Sequence, residues 1–328
     1  MEAKAPDISI LIVSFNTREY LSQCLASIPR AAESLTVETI VVDNGSTDGT
    51  QTMLIEQFSH VQLMQSQANL GFGKANNVGA RIAKARALLL LNSDCELQTG
   101  ALTRMLGALD RDPSLGGVLC RLLNPDGSLQ PSVHSAFPGL WGLLGDLFFL
   151  PSLRFAIYRN SALHPLLLRR TIRIHSRAHS VAWGGGACFL IRRDVFDQVG
   201  GFDERFFMYC EDMDLCKRIG EEGYGLLFLP DATAIHHWGK STAKQPALML
   251  REAYRSKLYY FRKHQPGWRS TVARRIAMGE LFVRRNMLRV LAVLPTSRQR
   301  AFQERAAASA ACLKDLRMET CVNEHRAS

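Results

Sequence analysis

The chain has 328 residues, of which 47% are hydrophobic and 21% charged, and it carries a formal net charge of +10. This composition excludes wholesale disorder, and the length suits one large α/β domain with an appendage, or two domains. The most apolar segment, residues 138–153, contains Asp146 and two prolines. It is shorter than the about 18–20 apolar residues of a membrane-spanning helix, so we expect no span there.

The positive charge is concentrated late in the sequence. Residues 244–305 contain fifteen Lys and Arg residues and three Asp and Glu residues, a local excess of +12. Such asymmetry is typical of proteins that contact nucleic acid, an anionic membrane surface or phosphate-bearing ligands.

The eight cysteines are scattered, and no two form a C-x-x-C pair. Cys24, Cys95, Cys120 and Cys188 lie in apolar runs, where a free thiol behaves as a small hydrophobic group. The opening residues MEAKAPD lead directly into a strand pattern and do not resemble a secretory signal. We therefore expect a reducing, cytoplasmic location.

The N-terminal part of the chain alternates between buried strands and amphipathic helices. Near-continuous apolar runs with polar ends predict strands at 7–16, 37–43, 60–66 and 87–97, and at the start of 116–130. Helices are predicted at 18–28, 51–58 and 100–113, and after a glycine loop within 69–85. This alternation implies right-handed crossovers and a doubly wound α/β sheet flanked by helices.

The alternation is interrupted at residues 131–180, which mix apolar residues with many arginines. A long insertion of this kind is typical of a functional flap or a partner surface. A strand and a helix return at 181–202, and after 226–242 the chain becomes basic and helical. We therefore predict an α/β domain at 1–243, which carries the insertion, and a basic helical region at 244–328.

Polar residues follow the predicted strands at positions where such sheets bind ligands. Asn16, Asp43 and Asp94 all lie at the carboxyl ends of strands, and ligands of doubly wound sheets bind beyond those ends. The Asp43 carboxylate can accept hydrogen bonds from a nucleobase or ribose. It can equally cap the helix that follows.

The glycine loop before the third predicted helix is a second candidate for ligand binding. Gly73 in GFG allows close approach of the backbone, and Asn76 and Asn77 supply amide donors near a helix N-terminus. These features predict a cradle for an anion or a nucleotide. The G-x-x-x-x-G-K-[ST] pattern of a Walker loop is absent.

Asp94 is the candidate metal ligand. Oxygen ligands suit Mg²⁺ or Mn²⁺, which bridge the diphosphate of a nucleotide. His236 and His237 end a later apolar strand, and a histidine there can join Asp94 on a metal. The alternative is that the histidine pair is structural.

Glu211 and Asp212 follow the apolar and sulphur-containing residues 206–210 and begin a predicted helix. Carboxylates are favoured at this position by the helix dipole alone. A partly desolvated cleft would instead raise the pKa of a carboxyl group and let it act as a general base. The residues leave both interpretations open.

Seven motifs, in this order, resemble those of the inverting family 2 glycosyltransferases of the GT-A fold, and most closely the bacterial rhamnosyltransferase-like enzymes of cell-surface polysaccharide assembly. The resemblance covers residues 7 to 265 and is specific as an ordered set. The motifs are SFN (14–16), VVDNGSTDGT (41–50), NLGFGKANN (69–77), LLLNSD (89–94), LLNPDGSLQ (122–130), WGGGACFLIRRDVFDQVGGFDERFFMYCEDMDLCKRI (183–219) and IHHWGKST (235–242).

The resemblance implies a mixed, mostly parallel sheet with a C-terminal helical appendage, and a role for each matching residue. Asp212 matches the catalytic base, with Glu211 beside it. Asp94 matches the last acid of the D-x-D metal motif, and His236 matches a histidine that completes the metal shell. The implied contacts to the nucleotide-sugar donor are Ser14, Asn16, Asp43, Gly73, Asn76, Asn92, Trp183 and Gly184.

The resemblance also implies a cofactor and partners. The cofactor is a divalent cation, Mn²⁺ or Mg²⁺, although Asn92 stands where D-x-D has its first acid. The donor is a dTDP- or UDP-linked sugar, with rhamnose favoured, and the acceptor is a glycan or a polyprenyl-diphosphate-linked sugar. Such an acceptor places the protein on the inner face of the cytoplasmic membrane.

A helical face in the basic region supports contact with a membrane surface. Within residues 278–295, one helical face comprises Val283, Met287, Val290, Leu291 and Leu294. Arg284, Arg285 and Arg289 lie mostly on the opposite face. This pattern fits an interfacial helix on anionic lipid. It equally fits a helix packed on the α/β domain with a solvated basic face.

Two other classes of protein compete with a sugar transferase. A nucleotidyltransferase that makes nucleotide-sugars would have a lysine-containing, glycine-rich loop near the N-terminus, and DISILIVSFNTREY has none. A nucleic-acid-binding protein would account for the basic region. No helix-turn-helix, zinc-finger or aromatic stacking motif supports it, so we expect no nucleic-acid partner.

Overall fold

The computed structural model describes residues 5–140, 172–237, 239, 245–293 and 299–324. The chain divides into two compact units. One comprises Met1–Phe137, Leu168–Phe207 and Glu211–Ala243, and the other comprises Pro138–Leu167, Met208–Cys210 and Lys244–Ser328. Most of the predicted insertion (141–171), the KST residues 240–242 and the predicted boundary after residue 243 lie outside the described residues. The predicted domain division therefore stays a prediction.

The first unit follows the predicted alternation of strands and helices. Its strands are β1 (Ile8–Ser14), β2 (Val37–Asp43), β3 (Gln62–Gln65), β4 (Ala87–Asn92), β5 (Cys95–Leu97), β6 (Leu115–Leu123), β7 (Leu129–Gln130), β8 (Val133–His134), β9 (His179–Val181), β10 (Trp183–Gly184), β11 (Cys188–Arg192) and β12 (Gly225–His236). Its helices are α1 (Arg18–Ala32), α2 (Thr50–Gln57), α3 (Phe72–Ile82), α4 (Ala101–Arg111), α5 (Arg193–Gln198) and α6 (Glu211–Glu221).

Ten of the described strands form one mixed sheet, with the main order β3-β2-β1-β4-β11-β6-β12-β5. Strands β3, β2, β1 and β4 are parallel to one another, as are β6 and β12, whereas β11 runs antiparallel between β4 and β6. β7 pairs with β6, β9 pairs with β12, and β8 and β10 form a separate ribbon. The predicted α/β class, with its mixed and mostly parallel sheet, is confirmed.

Helices cover both faces of the central strands, which explains their near-continuous apolar sequences. In β1, Ile8, Ile10 and Ile12 are buried in the cluster that contains α1 and α4, and Leu11 is buried on the opposite face with α3. Full burial of one such side chain stabilises the fold by about 1.5–3 kcal/mol. The polar residues that end these strands therefore lie where the helical cover stops.

Residues 87–97, predicted as one strand, form two. β4 ends at Asn92, a turn follows, and β5 pairs antiparallel with the end of β12. Ser93 and Asp94 in this turn are buried, and their polar atoms have partners in Thr17 and His236, since burial of a polar group without a partner is costly. The new pairing places His236 opposite Cys95 and so next to Asp94.

The second unit contains α7 (Pro246–His264), α8 (Gly267–Leu291) and α9 (Gln299–Glu324). These helices pack around a small core that consists of Tyr254, Ala277, Leu281, Cys312, Leu313 and Leu316. Burial raises the pKa of the Tyr254 hydroxyl, and the carboxylate of Glu280 raises it further. The core accounts for the helical periodicity of the basic region.

The predicted apolar face of α8 is partly exposed. Val283 is 42% exposed and Val290 is 68% exposed, whereas Met287 and Leu291 are partly buried. Leu294 lies outside the described residues. Phe282, which was not part of the predicted face, is 47% exposed, and Arg285 lies 4.8 Å from the centre of its ring. Among the described helices, none combines the length and the apolar character needed to cross a membrane.

Candidate active site

The loops after β1 and β2 interlock at the carboxyl edge of the sheet. The Asn16 backbone N–H donates to Ser46 Oγ at 2.9 Å, and the Thr47 N–H donates to Asn16 Oδ1 at 2.8 Å. Asn16 has a φ of 55°, in the left-handed region that asparagine tolerates better than most residues. Asn16 therefore holds the loop that follows Asp43, and its predicted contact to the donor stays a prediction.

Asp43 is fully buried and has one free oxygen. Its Oδ2 accepts hydrogen bonds from the Ser46 N–H at 3.2 Å and from Gln51 Nε2 at 2.7 Å. Its Oδ1 has no hydrogen-bond partner within the described part of the chain. One oxygen thus organises the loop after β2. Asp43 does not cap α2, whose N-cap is Gly49, so the capping alternative is wrong. The other oxygen is left for a ligand that donates a hydrogen bond.

A chain of hydroxyl groups joins the ends of β1 and β4. Ser14 Oγ lies 3.1 Å from Thr17 Oγ1, which lies 2.8 Å from Ser93 Oγ. All three side chains are buried. Sequence patterns indicated Ser14 but not Thr17, whose only signal was its position before α1.

The glycine loop before α3 is shaped by close packing. A Cβ on Gly71 would overlap the Phe207 carbonyl, and one on Gly73 would lie 3.0 Å from the Cβ of Phe202. The side-chain amide of Asn77 is used within the protein. Its Nδ2 donates to the Phe202 carbonyl at 2.9 Å, and its Oδ1 accepts from the Phe202 N–H at 2.8 Å. These contacts fix the start of α3 against residues 202–207.

Asn76 has the character of a ligand contact. It is 1% exposed, and its Nδ2 donates to the Phe72 carbonyl at 3.0 Å. Its Oδ1 is buried and accepts no hydrogen bond from any described residue. Like Asp43, Asn76 therefore offers a buried acceptor that an N–H or O–H of a ligand could satisfy.

Asp94, Cys95 and His236 form a buried cluster whose potential ligand atoms lie within 4.8 Å of one another. Asp94 Oδ1 is 3.2 Å from His236 Nε2, and Asn92 Nδ2 is 3.4 Å from the same nitrogen. Burial raises the pKa of the Cys95 thiol, and the charge of Asp94 raises it further, so this sulphur stays protonated. Asp94 and His236 thus supply an oxygen and a nitrogen that fit a divalent cation.

His237, the second member of the histidine pair, has a structural role. Its Nε2 lies 2.7 Å from Glu96 Oε1, and its ring lies 5.1 Å from that of Tyr20. The two histidines point to different partners because neighbouring side chains of an extended chain face opposite sides. Only His236 joins the cluster around Asp94.

Asp212 lies in the first turn of α6 and accepts two backbone hydrogen bonds. The Met213 N–H donates to its Oδ1 at 2.7 Å, and the Gly186 N–H donates to its Oδ2 at 3.1 Å. The chain enters α6 through Tyr209 and Cys210, which have φ values of 69° and 63°. Such left-handed residues are costly and cluster at functional sites.

The two carboxyl groups differ in environment. Burial raises the pKa of Glu211 well above its usual range, and the neighbouring Asp212 raises it further. Glu211 Oε2 also has no hydrogen-bond partner among the described residues. Burial raises the pKa of Asp212 as well, but the backbone N–H groups of Met213 and Gly186 oppose that rise. Of the two carboxyl groups, Asp212 is therefore the one whose ionised form the backbone favours.

The Trp183–Gly186 loop borders Asp212. A Cβ on Gly184 would lie 2.8 Å from Leu119 Cδ1 and 3.1 Å from the Ser132 carbonyl oxygen, so a larger residue there would require Leu119 to shift. The Trp183 ring stacks on the His134 ring with centres 3.9 Å apart, and its Nε1 donates to the Ala136 carbonyl at 3.0 Å. His134 was not predicted as part of the site, because it lies inside the insertion, whose sequence has no regular pattern.

The chain matches the model of glycosyl transferase family 2 over residues 9–200. It belongs to this family. It is 31% identical to the N-acetylglucosaminyl-diphospho-decaprenol L-rhamnosyltransferase of Mycobacterium tuberculosis over 308 residues, which cover 89% of this chain and 96% of that protein. It is 26% identical to rhamnosyltransferase WbbL of Escherichia coli K12 over 70% of this chain and 83% of that protein.

The fold of this family 2 glycosyltransferase is that of known sugar transferases. The mannosyltransferase PcManGT from Pyrobaculum calidifontis, solved with GDP-Man and Mn²⁺, superimposes with a TM-score of 0.54 at 16% identity. The match covers 94% of this chain and 86% of that one. The predicted GT-A fold and the predicted enzyme class, a glycosyltransferase, are both confirmed.

Proposed function

We propose that this glycosyltransferase moves a sugar from a nucleotide-diphospho-sugar to a polyprenyl-diphosphate-linked acceptor or glycan, with inversion at the anomeric carbon. Two hydrogen bonds made by backbone groups of the loop at Gly186 and Ala187 carry the proposal. The Gly186 N–H bonds Asp212 at 3.1 Å, and the next residue's carbonyl, that of Ala187, accepts from the Asn92 N–H at 2.9 Å. A single loop thus connects the proposed base to the strand end that precedes Asp94.

Asp212 is the proposed general base. Its carboxylate takes the proton of an acceptor hydroxyl as that oxygen attacks the anomeric carbon from the side opposite the leaving diphosphate. The glycosidic bond forms as the bond to the diphosphate oxygen breaks, which inverts the configuration. Two backbone N–H groups orient Asp212 and favour its ionised form.

The leaving group needs stabilisation of its negative charge, because electrostatic stabilisation usually contributes most to such catalysis. Asp94 and His236 are the residues that would hold a divalent cation. When bound, Mn²⁺ or Mg²⁺ supplies Lewis-acid stabilisation of the leaving diphosphate. The hydroxyl chain of Ser14, Thr17 and Ser93 orders the strand ends around this position.

The nucleotide is proposed to be dTDP or UDP. Asp43 Oδ1 is a buried acceptor without a partner among the described residues, so a ligand with an N–H donor satisfies it. Thymine and uracil both present an imide N–H, so this oxygen can accept from either base. Rhamnose is favoured as the sugar because two similar proteins are named as rhamnosyltransferases.

The proposed function is tested by transfer to a defined acceptor. The full chain is incubated with dTDP-L-rhamnose, or with UDP-linked sugars, and synthetic N-acetylglucosaminyl-diphospho-polyprenol. We expect transfer from one donor, with a product whose anomeric configuration by NMR is opposite to that of the donor. Retention of configuration, or no transfer to this acceptor from any of these donors, would contradict the proposal.

The acceptor's lipid chain requires contact with a membrane, and α8 has a suitable surface. Phe282, Val283 and Val290 on α8, and Val293 just after its end, are between 42% and 79% exposed. Arg289 is also exposed on this helix. Exposed apolar side chains interleaved with arginine favour an interface that contains anionic headgroups. We propose that this surface places the enzyme on the inner face of the cytoplasmic membrane.

We expect the full chain to bind vesicles of phosphatidylglycerol and phosphatidylcholine, more weakly as salt increases, because counterions screen the arginines. The double substitution Phe282→Ser and Val290→Ser removes the apolar contacts and should weaken binding at least about tenfold. Vesicle co-sedimentation measures both effects. The matched control is Ile55→Ser, since Ile55 is 66% exposed on α2 of the other unit. Equal binding of the double variant and the control would show that α8 is not the membrane contact.

A further inference from the structure

The LLNPDGSLQ motif forms a hairpin that the proposed chemistry does not yet use. The Gly127 N–H bonds the Asn124 carbonyl at 2.9 Å, and the Asn124 N–H bonds the Ser128 carbonyl at 2.8 Å. Pro125 suits the second position of this turn, and Gly127 has a φ of 80°, which suits glycine. The hairpin joins β6 to β7 and pairs Gln130 with Leu122.

A chain of side-chain hydrogen bonds runs through this hairpin in one direction. The Asp126 carboxylate can only accept, so Ser128 Oγ donates to it, at 2.6 Å. Ser128 Oγ in turn accepts from Asn124 Nδ2 at 2.9 Å. This orients the Asn124 amide with Oδ1 towards Gln130, whose Nε2 donates to it at 3.0 Å.

This series of hydrogen bonds ends at His236, the histidine of the proposed metal site. Because Gln130 Nε2 faces Asn124, its Oε1 faces His236 and accepts from Nδ1 at 2.7 Å. Gln130 Nε2 also lies 3.5 Å from the His236 carbonyl. The proton of the imidazole is therefore held on Nδ1, and Nε2 is the nitrogen that faces Asp94 Oδ1, 3.2 Å away.

We infer that Gln130 is a positioning residue that fixes the ring orientation and the tautomer of His236, so that Nε2 is available to a divalent cation. The inference rests on the proposed metal site. It explains why Gln130, 106 residues before His236 in the sequence, forms a hydrogen bond with that histidine. Outer partners of this type typically change metal affinity about 10- to 100-fold when they are removed. The Asp126 carboxylate, at the other end of the series, determines which partner donates in each of these side-chain hydrogen bonds.

The test measures binding of Mn²⁺, supplied as MnCl₂ alone, to the full chain by electron paramagnetic resonance of the free ion. Gln130→Met keeps the volume and removes the acceptor, so we expect Mn²⁺ binding about 10- to 100-fold weaker. Gln130→Glu keeps an acceptor for Nδ1 and should restore binding. Gln198→Met is the matched control, because Gln198 is an exposed residue bonded to Glu222, away from His236.

A second readout follows the tautomer directly. In ¹⁵N-histidine spectra of the wild-type chain without added metal, at a pH where the imidazole is neutral, the His236 proton should lie on Nδ1, and this measurement stands even if Gln130→Met fails to fold. A proton on Nε2, or unchanged Mn²⁺ binding by folded Gln130→Met, would overturn the inference while leaving the metal site intact. If the wild type bound no Mn²⁺, both the proposed metal site and the role of Gln130 would be wrong. The transfer assay tests the proposed reaction independently of that result.

Discussion

Replacing Asp212 with asparagine is expected to lower kcat by about 10²- to 10⁴-fold, the usual contribution of a general base. Asparagine keeps the size of the side chain and can accept one of the two backbone hydrogen bonds, but it cannot take the acceptor proton. Binding of the nucleotide-sugar should stay nearly unchanged, since Asp212 acts on the acceptor. Steady-state transfer rates and donor binding by calorimetry measure the two quantities separately.

The matched control for this substitution is Asp197→Asn, because Asp197 is an exposed carboxylate that pairs with Arg193 on α5. Its kcat should equal that of the wild type. If Asp212→Asn turned over at the wild-type rate, another group would have to accept the proton. If it lost donor binding instead, Asp212 would belong to the nucleotide site.

The pH dependence of kcat gives the same prediction a second check. The base must be ionised, so kcat falls as the pH drops through the pKa of Asp212. Burial raises that pKa, which moves the acid limb above the ordinary range of an aspartate. Because burial raises the pKa of Glu211 well above its usual range, the neutral Glu211→Gln variant should leave the acid limb where it is. A shift of the limb in that variant would mean that Glu211 carries the titration.

Replacing Asp94 with asparagine is expected to weaken Mn²⁺ binding at least about 100-fold, since loss of an outer partner alone costs about 10- to 100-fold. The amide keeps the shape of the side chain but removes the charge that faces His236 Nε2. Nucleotide-sugar binding that depends on Mn²⁺ should weaken with it. Thermal shift of the full chain with UDP- and dTDP-sugars, with and without MnCl₂, measures this dependence.

The control for Asp94→Asn is Asp231→Asn, an exposed position on β12, the strand that also carries His236. It should bind Mn²⁺ and donor as the wild type does. A wild-type enzyme that binds donor equally without metal, and that does not respond to Asp94→Asn, would contradict the proposed metal site. In that case the strand end at Asn92 would contact the diphosphate without a cation.

The amino-acid sequence determined the class of the fold and the order of the candidate residues. Apolar periodicity is a local property, so the alternation that begins with β1 and α1 could be predicted from neighbouring residues alone. The start of α6 at Glu211 was predictable for the same reason, because acids favour the first turn of a helix. The ordered motifs also indicated the family, since each motif is a short contiguous segment.

The tertiary structure decided which polar atoms are already engaged and which are free. The Gly186–Asp212, Asn77–Phe202 and Gln130–His236 hydrogen bonds join residues 26, 125 and 106 positions apart. A hydrogen bond depends on placement within a few tenths of an ångström, and only the sheet order sets that placement for distant residues. For this reason the sequence indicated Asp212, His236 and the motifs that contain Gly186 and Gln130, but not the hydrogen bonds from Gly186 and Gln130 that orient the two site residues.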